Sequence, residues 1–388
     1  MRSYWLERAR LGADLTLAEH VRLEVDGAGM ICGLAAGVPA GNSVRLDGFG
    51  LPGLVDAHVH LALDGGADVV ASVTGAGAAE LTLRVLDNAR RQLAAGVTTV
   101  RDLGSPDDLV VDLAERPWPT PAPRILAAGV VAATGGHGSF LGRTADGPTA
   151  VRRAVRTIAG GGAPWVKVFA SGGVVTPRSH PDSLQYLDDE LTEAVRTAHS
   201  LGLRVAAHAH SAAGILAAVA AGVDSVEHCS HATPEVIAAC AEATSTLVST
   251  LVATERFVAA DDLSASRPDV VDKILAHVPH ERAGLDALLA AGLEVVGATD
   301  AGTTHNPHGG GLAEQTRLLA AHGMATLAAL RAVTVAPARL LDLPVGRLAE
   351  GCAADVVTYP ADPVERLDVL DEPLRVVRAG ADVTGACR

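Results

Sequence analysis

Apolar runs of β-strand length recur along the chain, and each is followed by a longer stretch rich in Ala, Leu, Glu and Arg. Eight strand-like segments are predicted, at Leu54–Leu61, Val97–Leu103, Arg124–Ala132, Trp165–Ser171, Arg204–His210, Ser225–Ser230, Thr246–Val252 and Glu294–Asp300. The helical stretches between them include Glu80–Ala95, Thr149–Ala159, Asp188–Leu201, Ser211–Ala221 and Glu281–Ala291. Strands that alternate with helices pair in parallel. The pattern therefore predicts an α/β fold, a (β/α)8 TIM barrel, whose active site is built at the C-terminal ends of the strands.

The two ends of the chain have a different pattern. Residues 1–53 and 341–388 carry short alternating runs, such as Val21–Val25 and Asp355–Tyr359, interrupted by Gly and Pro. This pattern is typical of β-hairpins. Neither end is long enough to bury a core alone, so we expect both to combine into one small, discontinuous β-sandwich domain. The barrel is then expected to span residues 54–340.

The composition limits the class of partner and the compartment. A formal charge of −14 argues against nucleic acid and anionic membrane as partners. No apolar window reaches the roughly 18 residues of a membrane span, and Glu7 and Asp14 interrupt any signal-peptide core. Five cysteines without paired spacing indicate reduced thiols. The sequence predicts a cytoplasmic protein with a small-molecule substrate, and it leaves open whether the chain forms a homo-oligomer.

Candidate metal ligands lie at the end of the first predicted strand. His58 and His60 alternate along the strand, so both imidazoles project from one face and could share a metal ion. Two neutral histidines supply half of a zinc site. Taken alone, the pair does not establish a metal site, because one histidine could cap the strand and the other could make a structural hydrogen bond.

The fourth predicted strand contains a single lysine, Lys167, in an otherwise apolar segment. Burial disfavours the charged form of a lysine, and the neutral amine can react with carbon dioxide to give a carbamate. Such a carboxylated lysine is anionic and could bridge two metal ions through its two oxygens. The alternative is a lysine that pairs with an aspartate or extends past the end of the strand.

Further polar residues lie at the ends of later strands: His208 and His210 on the fifth, His228 on the sixth and Asp300 on the eighth. Each one alone could be a core histidine or a helix N-cap. Their common position at one end of a barrel indicates a shared site.

This ordered set of residues resembles the amidohydrolase superfamily, whose pattern is His-x-His on strand one, lysine on strand four, single histidines on strands five and six, and aspartate on strand eight. The resemblance implies two divalent metal ions, with zinc expected and manganese or iron as alternatives. The implied ligands are His58, His60 and Asp300 for one ion, His208 and His228 for the other, and N6-carboxylated Lys167 as the bridge. His210 is then left as a supporting or substrate-facing group.

Shorter motifs are similar to the imidazolonepropionase-like and prolidase-like branch, which includes Xaa-Arg/Lys carboxypeptidase-like enzymes. They are Lys167–Gly173, Gly135–Gly138 and Val226–His228. The similarity implies hydrolysis of an amide bond in a small substrate such as an N-acyl amino acid or a dipeptide. It also implies that His137 reaches the substrate carboxylate or the scissile carbonyl. A glycine-rich turn with an unrelated histidine is the alternative for His137.

Arg178 and His180, in the loop after strand four, are further candidates for holding a substrate carboxylate, since a guanidinium suits that role. A solvated loop explains them equally well. The expected mechanism uses two cations that share a water and lower its pKa from 15.7 toward about 7, so that hydroxide attacks the carbonyl carbon. Asp300 would take the proton and deliver it to the departing nitrogen, as general base and then general acid.

Two other functions stay open. Tyr4–Gly12 resembles the opening of formiminoglutamate deiminases, which use a mononuclear site, so the alternative is a deaminase, imino hydrolase or imidazolone-type ring hydrolase. A deaminase would release ammonia instead of an amino acid. The second alternative is a non-catalytic scaffold, but such scaffolds usually lose ligands and none is missing here.

Overall fold

Two β-sheets organise the chain in its computed structural model, which describes residues 2–39, 41, 43–176 and 178–387. The first sheet combines strands from both ends of the chain in the order β17-β16-β15-β5-β1-β2-β3, with β4 paired to β1. Its strands are β1 (Arg2–Leu11), β2 (Thr16–Val25), β3 (Ile31–Ala36), β4 (Val44–Arg45), β5 (Phe49–Pro52), β15 (Val356–Tyr359), β16 (Arg375–Arg378) and β17 (Ala381–Asp382). Apolar side chains of β1, β2, β15 and β16 form its buried core.

The second sheet is a nearly closed parallel barrel. Its strands are β6 (Leu54–Val59), β7 (Val97–Asp102), β8 (Arg124–Ala132), β10 (Trp165–Phe169), β11 (Arg204–Ala209), β12 (Ser225–His228), β13 (Thr246–Ser249) and β14 (Val295–Gly297), with the short β9 (Arg143–Thr144) beside β8. Backbone hydrogen bonds of 2.8 Å from Asp300 N to His58 O and 2.9 Å from His60 N to Ala301 O join its first and last strands.

Helices surround this barrel and cover the apolar outer faces of its strands. They are α1 (Val69–Gly75), α2 (Ala78–Ala94), α3 (Leu109–Ala114), α4 (Pro148–Gly160), α5 (Asp188–Ser200), α6 (Ala212–Ala221), α7 (Pro234–Glu242), α8 (Leu251–Val258), α9 (Pro268–Ala290), α10 (Gly311–Ala321), α11 (Thr326–Ala332), α12 (Val335–Leu340) and α13 (Thr384–Cys387). None of the helices in the described part is long and apolar enough to cross a membrane.

The predicted fold class is confirmed, since a TIM barrel stands beside a separate curled β-sheet. The division of the chain at residues 53/54 and 340/341 stays a prediction. Three elements differ clearly from the sequence pattern, and one of them is the eighth strand, which spans Val295–Gly297 instead of Glu294–Asp300. The seventh strand ends at Ser249, and Leu251 begins α8, because a short buried apolar run does not distinguish strand from helix. The helix predicted at Glu281–Ala291 is the second half of α9, which starts at Pro268 and continues through Pro279.

The barrel interior contains a buried arginine. Arg101 donates hydrogen bonds of 2.6 Å to Ala57 O, 3.0 Å to Ser225 Oγ and 2.8 Å to Glu227 Oε1, and its guanidinium lies 4.5 Å from the centroid of the Trp165 ring. Burial opposes ionisation of Glu227, but Arg101 and its other neighbours hold the pKa of this carboxyl well below its usual range. The interior of the barrel is therefore held by an ion pair as well as by apolar packing.

Replacing this arginine should destabilise the fold strongly. Arg101→Met leaves Glu227 buried without its cationic partner, which is expected to lower the free energy of unfolding by about 3–5 kcal/mol in chemical denaturation. Arg366→Met, which breaks the exposed ion pair with Asp368, is the control and should change stability little. Equal stability of the two variants would show that the buried pair does not support the barrel.

Candidate metal centre

A cavity of about 750 Å³ opens at the C-terminal ends of the barrel strands. The charged and imidazole side chains that line it are His58, His60, His137, Lys167, His208, His210, His228, Glu281 and Asp300. The apolar part of its lining includes Leu63, Val69, Phe140, Leu141, Phe169, Val174, Val175 and Ile274. The cavity thus combines a cluster of potential metal ligands with a largely apolar surface.

The first ligand group is formed by His58, His60 and Asp300, one potential ligand atom from each lying within 4.8 Å of the others. Asp300 Oδ1 lies 3.2 Å from His58 Nε2 and 3.3 Å from His60 Nε2. Asp300 follows β14 with a φ of 52°, in the left-handed region that a non-glycine residue rarely adopts. With this backbone conformation, the carboxylate of Asp300 lies beside both histidines.

The second ligand group is formed by His208, His210 and His228, again within 4.8 Å of one another. The ring centroids of His208 and His228 are 4.6 Å apart, and those of His58 and His228 are 5.1 Å apart, so the two groups are neighbours. His228 has a φ of 73° at the end of β12. His210 contacts both other rings of its group, at centroid distances of 4.5 and 4.6 Å.

The outer nitrogen of each histidine in the first group has a hydrogen-bonding partner. His58 Nδ1 lies 3.0 Å from Glu227 Oε2, and His60 Nδ1 lies 3.2 Å from Gly104 O. Both partners are acceptors, so each histidine donates through Nδ1 and keeps a lone pair on Nε2. A carboxylate or carbonyl behind an imidazole is the usual arrangement for metal-binding histidines.

The second group is supported in the same way. His208 Nε2 donates to Gly172 O at 3.0 Å, which leaves its Nδ1 free to bind a metal. His228 Nδ1 lies 2.7 Å from Thr250 Oγ1, which leaves its Nε2 free. The four histidines assigned as ligands from the sequence therefore all have one nitrogen held by the protein and one directed elsewhere.

Lys167 is almost fully buried, with 1% of its surface exposed. Burial lowers its pKa to about 8, against the opposing charges of Glu227 and Asp300. Its Nζ lies 5.5 Å from the centroid of the Phe169 ring, and among the described residues no group accepts a hydrogen bond from it. A buried amine without an acceptor is unusual, and its depressed pKa raises the fraction of neutral, reactive amine.

The protonation states of the cluster suit metal binding. Burial, assisted by the charge of Lys167, lowers the pKa of His58 to about 4. Burial likewise brings the pKa values of His208 and His228 well below the ordinary value for histidine. Burial raises the pKa of Asp300, but His58, His60 and Lys167 outweigh it and lower that pKa overall. Neutral imidazoles beside an ionised carboxylate are the forms that bind metals.

Asp300 Oδ1 indicates whether the site suits a metal cation. This oxygen is buried and has no hydrogen-bond donor among the described residues. It lies beside the Nε2 atoms of His58 and His60, neither in hydrogen-bond geometry. A buried anionic oxygen without a donor is costly unless a cation compensates it. Imidazole and carboxylate ligands suit zinc and other divalent transition metals. The residues present therefore fit a divalent metal centre.

Residues 49–381 match the amidohydrolase family. The chain belongs to the amidohydrolase family. This membership confirms the resemblance found in the sequence, and at the level of the family it confirms the prediction of a hydrolase that acts on carbon–nitrogen bonds.

Relatives of this amidohydrolase include both characterised and uncharacterised proteins. It is 33% identical over 238 residues to ochratoxinase of Aspergillus niger, a match that covers 60% of the chain but only 48% of the ochratoxinase. It is 30% identical over 349 residues to an uncharacterized protein of Mycobacterium tuberculosis, covering 88% of the chain and 87% of that protein. The structure of a Xaa-Pro dipeptidase with bound methionine superposes with a TM-score of 0.87 at 25% identity, covering 98% of this chain and 99% of the dipeptidase.

His137, the substrate-binding candidate of the Gly-Gly-His-Gly turn, lies inside the cavity of the amidohydrolase. Its ring is 4.5 Å from His208 between centroids, and its Nδ1 lies 2.8 Å from Thr176 Oγ1. A Cβ on Gly173 would be 2.3 Å from the His137 ring, so a residue without a side chain is required there. Burial, together with the charge of Lys167, lowers the pKa of His137 to about 3, which keeps the ring neutral.

The other candidates for substrate binding are divided between two environments. His210 is buried in the second ligand group, with its Nδ1 2.9 Å from Ser230 Oγ. Arg178 and His180 are exposed in the loop after β10, and neither lines the cavity. Because an exposed side chain on this loop is free to project into solvent, the geometry gives no support to a role for these two residues. Their role stays a prediction.

Sequence reasoning missed the residues that hold the ligands. Glu227 and Arg101 are charged residues inside apolar strands, the same signal that identified Lys167, but their partners are distant in sequence. Thr250 and Thr176 lie in loops and carry no distinctive pattern. Glu281, on the inner side of α9, reaches the cavity only because this long helix packs over the barrel mouth.

The hydrogen bond between Thr250 and His228, which holds a histidine of the second ligand group, can be tested without changing a metal ligand. Thr250→Val removes the hydroxyl that is hydrogen-bonded to His228 Nδ1, and it should weaken binding of one metal ion by about 10–100-fold. The measurement is metal content after equilibrium dialysis against a series of metal concentrations. Thr98→Val is the matched control, because the Thr98 hydroxyl is buried without a partner. Equal affinity in the two variants would exclude the proposed support.

Proposed function

We propose that this chain is a metal-dependent amidohydrolase that cleaves the amide bond of a small substrate, such as an N-acyl amino acid or a dipeptide. The observation that carries this proposal is the pair of adjacent ligand groups in one cavity, with the outer nitrogens of their histidines held by protein acceptors. The names of the relatives support it, since one is an ochratoxinase and another a Xaa-Pro dipeptidase.

In this proposal two divalent metal ions, most suitably zinc, are held at neighbouring positions by residues already described. His58, His60 and Asp300 hold one ion, and His208 and His228 hold the other, with His210 beside the second. Bound there, the ions would polarise the scissile carbonyl and lower the pKa of the attacking water. The neutral state of the imidazoles leaves their lone pairs available for this task.

Lys167 is proposed to carry a carbamate that links the two positions. Its neutral amine would attack carbon dioxide, forming a nitrogen–carbon bond and releasing one proton. The resulting anion would place two oxygens where the ammonium now has no acceptor. Supporting this role, the side chain is buried, lines the same cavity and has a pKa near 8 instead of its ordinary value.

Asp300 is proposed to move the proton of the reaction. With Oδ1 beside the Nε2 atoms of His58 and His60, Oδ2 is left to accept a proton from the attacking water. The same oxygen would then donate that proton to the departing nitrogen. The low pKa of Asp300 in the free enzyme keeps it ionised and ready to accept at neutral pH.

His137 is proposed to bind the carboxylate or the scissile carbonyl oxygen of the substrate. Its Nδ1 faces Thr176 Oγ1, so its Nε2 is available to the cavity. Phe169 packs edge-on against the ring at a centroid distance of 5.3 Å and, with Phe140 and Leu141, gives this side of the cavity an apolar lining. Such surroundings exclude water and strengthen a hydrogen bond to the substrate.

The variant Lys167→Ala should lose activity and the second metal ion, because the link between the two positions is absent. Short carboxylic acids that substitute for the carbamate should restore part of both. Release of free amine from N-acyl amino acids and dipeptides is measured by chromatography, with metal content measured on the same samples. Unchanged turnover in Lys167→Ala would contradict the binuclear centre.

The wild-type enzyme provides the control for this experiment and the test of the function itself. Two metal ions per chain and release of an amino acid support the proposed amide hydrolysis. One ion per chain with release of ammonia would instead identify the deaminase alternative, so ammonia is assayed in parallel.

The variant Asp300→Asn tests the proton transfer separately. The amide keeps an oxygen that can bind a metal but cannot accept and return a proton, so kcat should fall by roughly 100- to 10,000-fold. Metal content should be reduced far less than in Lys167→Ala. Retained turnover in Asp300→Asn would remove this residue from the proton-transfer step.

A further inference from the structure

A carboxyl group without a cationic partner lines the cavity beside the two ligand groups. Glu281, on α9, is 3% exposed and belongs to the cavity lining. Among the described residues its side chain has one hydrogen-bond donor, Thr254 Oγ1, at 2.7 Å from Oε2. No lysine or arginine of the described part forms a salt bridge with Glu281. Outside the ligand groups, this buried acid therefore differs from the other buried carboxyl groups, which have cations or backbone donors.

By contrast, Glu227 pairs with Arg101 and Asp362 pairs with Arg10, while Asp56 accepts hydrogen bonds from backbone N–H groups.

The surroundings of Glu281 make its negative charge costly without a ligand. Burial raises its pKa to about 7, and the charges of Asp300 and Glu255 act in the same direction, against the hydrogen bond from Thr254. Ile274, two turns earlier on α9, and Ala253 line the cavity with it. A protonated amine brought by a ligand would supply the missing positive charge.

The position of Glu281 relative to His137 indicates which end of a substrate it meets. His137 follows β8, the third strand of the barrel, whereas Thr254 lies in α8, directly after β13, the seventh strand. In a ring of eight strands the third and the seventh are opposite each other. The two ligand groups lie at the ends of strands between them. A substrate whose carboxylate meets His137 and whose amide lies at the ligand groups therefore extends its acyl half toward Glu281.

We propose that Glu281 binds the protonated α-amino group of the acyl half, so that the preferred substrates are dipeptides with a free amino terminus and not N-acyl amino acids. This inference rests on the proposed function and narrows its substrate class. Glu281 is a specificity-determining residue in this assignment, because its contact is with a part of the substrate that does not react.

The test compares Glu281→Gln with the wild-type enzyme on matched pairs of dipeptides, one with a free and one with an acetylated amino terminus. Both residues of each dipeptide have uncharged side chains. Loss of a hydrogen bond to a charged group should lower kcat/KM for the free dipeptide by about 10- to 150-fold. Hydrolysis of the acetylated partner should change little, since it has no positive charge to lose.

Glu255→Gln is the matched control, because it removes the same charge one residue from Thr254 but outside the cavity, where Glu255 pairs with Arg282. It should leave the preference for the free amino terminus intact. Thermal unfolding of both variants shows whether Glu281→Gln is folded. If it is not, Thr254→Val provides the second variant, since it removes the hydroxyl that orients the carboxylate and should reduce the same preference.

A binding measurement separates failure of this inference from failure of the proposed function. Calorimetric titration of the metal-loaded enzyme uses a phosphinic pseudodipeptide that cannot be hydrolysed, with its amino group free or acetylated. Tighter binding of the free form in the wild-type enzyme, lost in Glu281→Gln, supports the assignment even if no amide is cleaved. Equal binding of the two forms by the wild-type enzyme would overturn it, and so would a preference for the free form that persists unchanged in Glu281→Gln.

Discussion

The buried carboxylate of Glu227 connects the interior of the barrel to the candidate metal centre. One of its oxygens accepts a hydrogen bond from Arg101, and the other lies 3.0 Å from His58 Nδ1. Because a buried carboxylate needs both partners, the position of the arginine and the orientation of the histidine are linked. The geometry of the ligand groups therefore depends on an ion pair within the core of the fold.

The cavity combines polar groups that serve different purposes. The histidines beside Asp300 and Lys167 are neutral because they are buried, which suits them to bind cations. His137 and Glu281 line the same cavity, whose lining also includes many apolar side chains. Polar anchors at a distance from a reactive centre orient a ligand, and an apolar lining strengthens each of those contacts.

Much of this arrangement could be predicted from the sequence. The alternation of strands and helices predicted the barrel, and the C-terminal ends of its parallel strands meet at one face. His58, His60, Lys167, His208 and Asp300 could therefore be placed together before any contact was known. The partners Glu227 and Arg101 could not, since their contact joins strands 126 residues apart and local periodicity carries no information about it.

The sequence by itself determined the order of strands and the residue types at their ends, because hydrophobic periodicity and chemical character are local properties. Only the tertiary structure decided how the side chains of those residues are oriented. The left-handed backbone at His228 and Asp300, the exposure of Arg178 and the approach of Glu281 from α9 all depend on packing between distant segments. Such packing sets loop conformations and burial, and burial in turn sets the charge of each group in the cavity.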